Sequence, residues 1–372
     1  MQQPVQGLVH AGTAGHARTI LTRWLSMAMC AAALALPAGA WAQAAKAAAS
    51  KAVPGNPQAA QQELEALIKA AKADGEVMFY SSPTENVAAR VRDAFMKKYG
   101  VKAQFLRLTG SGLLQRYASE AEAGTFVADV ITTAGDSVGY AEEGIRKGWI
   151  EPVSAARLPV LMSGEFPAKF MMGPTAIIQI SPWGIAYNTE KVKREDVPKD
   201  WSDILHPRFK GQINLTNPRS SDAHIDHWTI ILDKYGEGFF TSLRAQNGRQ
   251  FNGGVPSTNA LAAGEGSIQV PAVPGQIQGV KDKGAPVDWV AIDYSTGVEI
   301  QVALTHRAKA KHPAAGRLLA HFMLTEEGNK ILNSDPGSVS VYDTKALPAD
   351  YRSPKPGAAS RREQFLKLLG FS

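Results

Sequence analysis

Three short apolar runs in the first half of the chain each lead into a hydroxyl- or glycine-rich loop and then into a stretch with helical periodicity. The runs cover residues 76–80, 105–108 and 128–131. The loops are Ser81-Ser82-Pro83-Thr84, Thr109-Gly110-Ser111-Gly112 and Thr132-Thr133-Ala134-Gly135-Asp136. After the first loop, Val87, Val91, Ala94, Phe95 and Tyr99 fall on one helical face, and Gly100 stops the helix. Ser82-Pro83-Thr84-Glu85 has the form of a capping box with proline at the first helical position. A second helix is expected from near Ser111, with Leu114, Tyr117 and Ala121 inward, and a third from near Asp136 to about Gly148. A short amphipathic helix over 63–72 precedes the first strand. Strands alternating with helices predict an α/β fold built on parallel sheet, whose strand C-terminal ends share one edge.

The second half repeats the device. Residues 179–188 read as a strand broken at Ser181-Pro182, a place for the chain to leave a first domain. A strand over 213–215 enters Thr216-Asn217-Pro218-Arg219-Ser220-Ser221-Asp222, and a helix follows with Ile225, Trp228, Ile231, Leu232 and Tyr235 inward. Further strands are expected over 267–273, 287–292 and 298–303, then helices over 313–324 and 326–332.

Four hydroxyl-bearing loops after four strands would converge on one cleft suited to a small polar ligand. Any one of them alone is an ordinary helix cap, since Ser, Thr and Asp cap helices everywhere. The candidate contacts are Ser81, Ser82, Gly110, Ser111, Thr133, Asp136, Ser220 and Ser221. Arg219 stands out, because a guanidinium between a strand end and a helix N-terminus can clamp a carboxylate, sulfate or phosphonate with two hydrogen bonds. Tyr80, Trp183 and Tyr294 could wall an organic portion, or could be core packing.

The N-terminus adds a compartment. Arg18 and Arg23, the apolar run 24–36, Pro37 and Ala40-Trp41-Ala42 have the layout of a cleavable signal peptide over 1–42, with Gln43 as the mature start. The single cysteine, Cys30, lies inside it, and Met29 before it argues against a lipoprotein. The mature chain then has no disulfide, thiolate metal site or cysteine nucleophile. Without Arg18 and Arg23 the balance is 38 basic against 34 acidic residues, too mild and scattered an excess to suggest nucleic acid. Residues 43–62 read as a flexible linker rich in Ala, Gln, Lys and Pro.

The order of several segments resembles the type II periplasmic solute-binding proteins of ABC transporters. They are Glu76-Val-Met-Phe-Tyr80, Ala128-Asp-Val130, Gly184-Ile-Ala-Tyr-Asn188, Trp201-Ser-Asp-Ile-Leu205 and Phe209-Lys-Gly-Gln-Ile213, with the closing helices from Pro313 and Thr325. The nearest subgroup is the ferric-iron-binding proteins. The resemblance implies two α/β domains joined by a hinge, with solute trapped as they close. Domain 1 would take residues 63–182 and 290–345, domain 2 residues 183–289, and 346–372 a tail with a helix. It also implies a periplasmic, monomeric receptor that hands its solute to an inner-membrane permease, without cofactor and without membrane insertion. The positions that hold iron ligands in that subgroup carry Thr84, Ala134 and Pro274-Gly275 here, none of them an anionic oxygen ligand, so ferric iron is not expected. Thr84 and Gly275 remain candidate solute contacts by position.

Other readings compete. A polyamine- or thiamine-like cation would need Asp136, Asp222 or Glu299 in the cleft. His224 and His227, three apart on a helix, could ligate a metal, but a packing role is the simpler one. Gly135-Asp136-Ser137-Val138-Gly139 matches the nucleophile elbow of a serine hydrolase, without the preceding strands and oxyanion loop that fold needs. A sensory binding subunit would share every feature. The expectation is a binding protein for a small anionic or polar organic solute, not an enzyme.

Overall fold

The structure, a computed structural model, describes residues 55–371 except 109, 136 and 356. The leader, Cys30 and Asp136 lie outside the described residues.

The chain opens with α1 (Pro57–Asp74), capped by Asn56, whose side chain accepts from the Ala59 N–H. The expected flexible linker is therefore helical from Pro57 onward, because Leu67 and Ala71 bury one face and Pro57 starts the first turn. Then come β1 (Glu76–Ser81), α2 (Glu85–Tyr99), β2 (Lys102–Arg107), α3 (Gly110–Glu122), β3 (Val130–Thr133), α4 (Ser137–Arg146), β4 (Ile150–Glu151), α5 (Pro159–Met162), β5 (Met171–Met172) and β6 (Thr175–Pro182). The capping box is not formed. Ser82 instead extends the sheet, its N–H donating to the Thr132 carbonyl at 2.9 Å. The helix starts after Thr84, which makes no side-chain cap.

After Trp183 the chain continues through β7 (Gly184–Asn188), β8 (Ile213–Thr216), α6 (Asp222–Ala245), β9 (Arg249–Phe251), α7 (Gly254–Ala262), β10 (Ile268–Ala272), α8 (Pro274–Lys281) and β11 (Val287–Ala291). It closes with β12 (Gly297–Thr305), α9 (Pro313–Leu324), α10 (Glu326–Leu332) and α11 (Arg362–Leu369). The α9 start is held by two acids: half-buried Asp74 accepts from the Ala314 and Ala315 N–H groups, and buried Asp129 from the His312 N–H.

Two sheets result. The first has the order β2-β1-β3-β12-β6-β5, with β4 beside β12, and the second β11-β7-β10-β8-β9. In the first, β1 pairs parallel with β2 and β3 while β12 runs antiparallel between β3 and β6. In the second, β8 pairs parallel with β9 and β10 while β7 runs antiparallel between β10 and β11. The orders β2-β1-β3-β12-β6 and β9-β8-β10-β7-β11 correspond strand for strand. The antiparallel fourth strand of each sheet is contiguous with a crossing between them.

Each sheet is covered on both faces, as parallel strands require. Along β1, Val77 and Phe79 join a core with Val87, Val91 and Phe95 of α2 and Leu318 and Phe322 of α9, whereas Tyr80 packs with Leu113 and Tyr117 of α3 on the other face. Along β8, Ile213 and Leu215 join Trp228, Ile231 and Phe240 of α6. On the opposite side Leu261 of α7 and Ile277 of α8 pack on Ala186 and Ala272.

Two segments connect the sheets, at Trp183 and between β11 and β12, and they bond to each other. The Trp183 N–H donates to the Thr296 carbonyl at 2.8 Å, and Ser295 Oγ donates to the Trp183 carbonyl at 2.7 Å. The tail makes a third connection. Val339 and Val341 lie in the first core, the Arg352 N–H donates to the Ser295 carbonyl, and Phe365, Leu366, Leu369 and Phe371 lie in the second core.

Candidate solute-binding cleft

The parallel strands of each sheet end on an edge where helices begin: α2, α3 and α4 after β1, β2 and β3, and α6, α7 and α8 after β8, β9 and β10. The two edges meet. Gly135, with φ +97°, lies so near the first turn of α6 that a Cβ there would stand 3.5 Å from Asp222 Oδ2. A side chain on Gly337, after α10, would overlap Pro274 at the start of α8. The candidate cleft is the space between these edges. Helix N-termini carry unpaired N–H groups and the positive end of the helix dipole, so the arrangement favours an anion.

On the first lobe, Ser81 is buried at the end of β1, in register with Thr132. Ser82 Oγ is buried without a protein partner. Thr84 and Ser111 are exposed, at the starts of α2 and α3. Gly110 lets α3 approach the third loop, since a Cβ there would sit 3.1 Å from the Ala134 carbonyl oxygen. Thr133 is buried, and its Oγ1 donates to that same carbonyl.

On the second lobe, Asn217 organises the β8–α6 loop. Its Oδ1 accepts from the Arg219 N–H at 2.9 Å, and its carbonyl accepts from Ser220 Oγ at 2.7 Å. Arg219 is exposed on this turn. Ser221 caps α6, its Oγ accepting from the Ala223 N–H at 3.3 Å. Asp222 pairs with Arg362 of α11. Gly275 is exposed in the first turn of α8, with open space where a Cβ would be.

Of the three aromatic candidates, Trp183 packs on the first turn of α6 and Tyr294 lies farther back. Trp183 is 4% exposed, donates its indole N–H to the Ala223 carbonyl at 3.1 Å, and stacks on His224 at 5.1 Å. Tyr294 lies in the connecting segment between Lys234 and Arg352, 5.0 and 4.3 Å from its ring centre. Lys234 is twelve residues along α6 from Asp222, about 18 Å of helix from the cleft edge. Both aromatics pack the hinge. Tyr80 is fully buried and donates its hydroxyl to Glu120.

His224 and His227 belong to the same packing. His227 has its ring 4.6 Å from Trp201 and 4.7 Å from Trp228, with neither nitrogen hydrogen-bonded. Burial pushes the His224 pKa down to about 4 and that of His227 well below the usual imidazole value. Among the described residues no three His, Cys, Asp or Glu side chains converge as a metal site. Ser137 Oγ is buried and donates to the Thr133 carbonyl at 3.2 Å, so its proton faces no base. Glu299 is buried at the hinge and accepts from the Tyr351 hydroxyl at 2.8 Å.

Several edge residues were missed. Arg107 ends β2, is exposed, and donates its Nε to the Pro83 carbonyl at 3.5 Å. Asn252, Gly253 and Gly254 open α7, and Asn252 Oδ1 accepts from Asn217 Nδ2 at 3.2 Å. A third strand–loop–helix unit in the second lobe was the available signal, hidden because β9 is only three residues long and barely apolar.

A family model described as bacterial extracellular solute-binding protein matches residues 127–298. The match makes residues 127–298 similar to bacterial extracellular solute-binding proteins, and the fold is that of two-lobed periplasmic binding proteins of ABC transporters. An uncharacterized protein of Haemophilus influenzae is 26% identical over 280 residues, covering 73% of this chain and 79% of its own. Among solved structures, the periplasmic binding protein AfuA of Actinobacillus pleuropneumoniae, bound to fructose-6-phosphate, superposes with a TM-score of 0.61. The identity is 18%, covering 80% of this chain and 99% of AfuA. Iron-bound HitA of Pseudomonas aeruginosa gives 0.60 at 19% identity, covering 79% and 98%. An ABC transporter substrate-binding protein of Agrobacterium tumefaciens gives 0.66 at 15%, covering 79% and 94%.

Proposed function

We propose that this protein is the periplasmic receptor of an ABC importer and that it captures a small anionic organic solute: a phosphonate, sulfonate, carboxylate or phosphate ester. The carrying observation is the opening of six helices along two facing edges, with Arg107 and Arg219 on those edges. A solute gripped by both lobes favours the closed arrangement, because only closure offers both sets of donors. Residues 63–182 with 290–345 form one domain and 183–289 the other, hinged at Trp183 and the β11–β12 connection. In this reading α11 is a clasp on the second lobe. AfuA, with a phosphorylated sugar in the same fold, supports an anionic cargo; HitA, with iron, supports a different one. For this chain the iron reading is disfavoured by Thr84, Ala134, Pro274 and Gly275 at the positions of the subgroup's iron ligands.

The mature protein begins at Gln43 and works as a monomer. Native mass spectrometry of protein isolated from the periplasm should reveal a co-purifying anion that is released on unfolding and rebinds on refolding. Recovery in the cytoplasmic fraction would refute the location. A cationic co-purifying molecule would refute the choice of solute.

A further inference from the structure

The second turn of α2 carries a guanidinium with three of its five N–H donors unused. Arg90 Nη1 pairs with Asp335 Oδ1 at 2.7 Å. Its Nε and Nη2 are buried and have no protein acceptor, while 34% of the side chain remains exposed. Those two nitrogens form the side-on edge of the guanidinium, whose parallel N–H bonds match the two oxygens of a carboxylate or phosphate. A charged donor pair withdrawn from water without an acceptor is costly, so an occupant is expected there. The edge is not left over from packing against an acid: Asp335, the residue that braces it, takes only the opposite nitrogen.

The position suits a ligand. Helix α2 begins at the cleft edge, and Arg90 is five residues along it, about 7–8 Å of helix. Asp335 lies two residues before Gly337, which abuts Pro274 of the second lobe. The pair therefore stands on the first-lobe wall where the start of α8 arrives, and that helix has no side-chain cap at Val273. Ser82, on the loop entering α2, has another buried donor without a protein partner.

We propose that Arg90 is a first-lobe anion clamp. Its Nε–Nη2 edge takes a carboxylate or phosphoryl group of the solute side-on, and Asp335 is a positioning residue that fixes the plane of the fork. The assignment rests on the anionic-solute reading above and adds the group that would select for planar or tetrahedral oxyanions over neutral polar solutes.

The test uses the mature full-length chain with three probes, inorganic phosphate, sulfate and acetate, followed by calorimetry and by the arginine Nε–H signals in NMR spectra. Wild type should bind at least one oxyanion with a shift of the Arg90 Nε–H signal. Arg90→Lys, which keeps the charge and loses the fork, should bind it about tenfold or more weakly. Asp335→Asn should weaken binding less and should broaden the Arg90 signal even without anion. If an oxyanion binds while the Arg90 signal stays still and Arg90→Lys binds normally, the clamp is wrong and the anionic-solute reading stands. If none of the three probes binds, the clamp is overturned, and a cationic co-purifying molecule would overturn the anionic-solute reading as well. Should Arg90→Lys fail to fold, the wild-type Nε–H signal alone decides the outcome.

Discussion

Replacing Phe365 with alanine tests whether the tail clasps the second lobe. Phe365 is 0% exposed, with its ring centre 6.0 Å from that of Phe240. Leu366, Leu369 and Phe371 share its core. Truncating a buried phenylalanine costs about 3–5 kcal/mol when the surroundings cannot collapse. Here they can escape the cost. Four apolar side chains contribute roughly 6–12 kcal/mol of gross burial, while ordering an eight-residue helix costs on the order of 8–16 kcal/mol. Net docking is thus weaker than the cavity penalty, and the helix should undock locally before the lobe unfolds. Trypsin has sites at Arg361, Arg362 and Lys367, on or beside this helix. In Phe365→Ala their cleavage should accelerate about tenfold or more, up to the limit set by losing the whole of the small net docking free energy. The urea midpoint of the whole protein should fall much less than a rigid core cavity would require. Cleavage within threefold of wild type would show that this face of the helix does not hold the tail.

Arg219→Ala should weaken solute binding by roughly tenfold or more, and Ser111→Ala by about 1 kcal/mol, both read by calorimetry with the co-purified solute; unchanged affinity for Arg219→Ala would make that arginine a surface residue. Burial lowers the pKa values of His224 and His227 in the folded state, so the unfolded chain binds protons first and stability should fall as pH drops from 6.5 toward about 4. His227→Leu should flatten that decline in urea titrations; an unchanged slope would remove His227 from the account. Burial raises the Glu299 pKa above 4.5, so its favourable contribution is present at low pH and is lost as pH rises through the elevated value. Glu299→Gln should therefore raise the thermal midpoint at pH 8 more than at pH 4, and an equal effect at both would contradict the sign.

Local pattern determined the elements. Residues 326–332 read as a helix in sequence and form one in the structure, because Thr325 caps it and its buried positions recur at helical spacing. The break at Ser181-Pro182 separates β6 from β7, since Pro182 has no N–H to continue a ladder and Trp183 turns toward the other sheet. The hydroxyl loops were also legible as loops, because strand ends and helix starts have local chemistry. What each side chain does there was not. Ser82 looks like a cap in sequence but joins the sheet, because β3 comes alongside to accept its N–H. Trp183 looks like a wall for the solute but is buried and stacks on His224 in the first turn of α6. Arg90 looks like any surface arginine of an amphipathic helix, and only the distant Asp335 reveals a braced fork. The tail helix carries no mark of which lobe it covers. Periodicity and capping are properties of neighbours in the chain, so one sequence suffices to read them. Which polar groups end up facing one another depends on contacts between segments tens to hundreds of residues apart, and packing decides those.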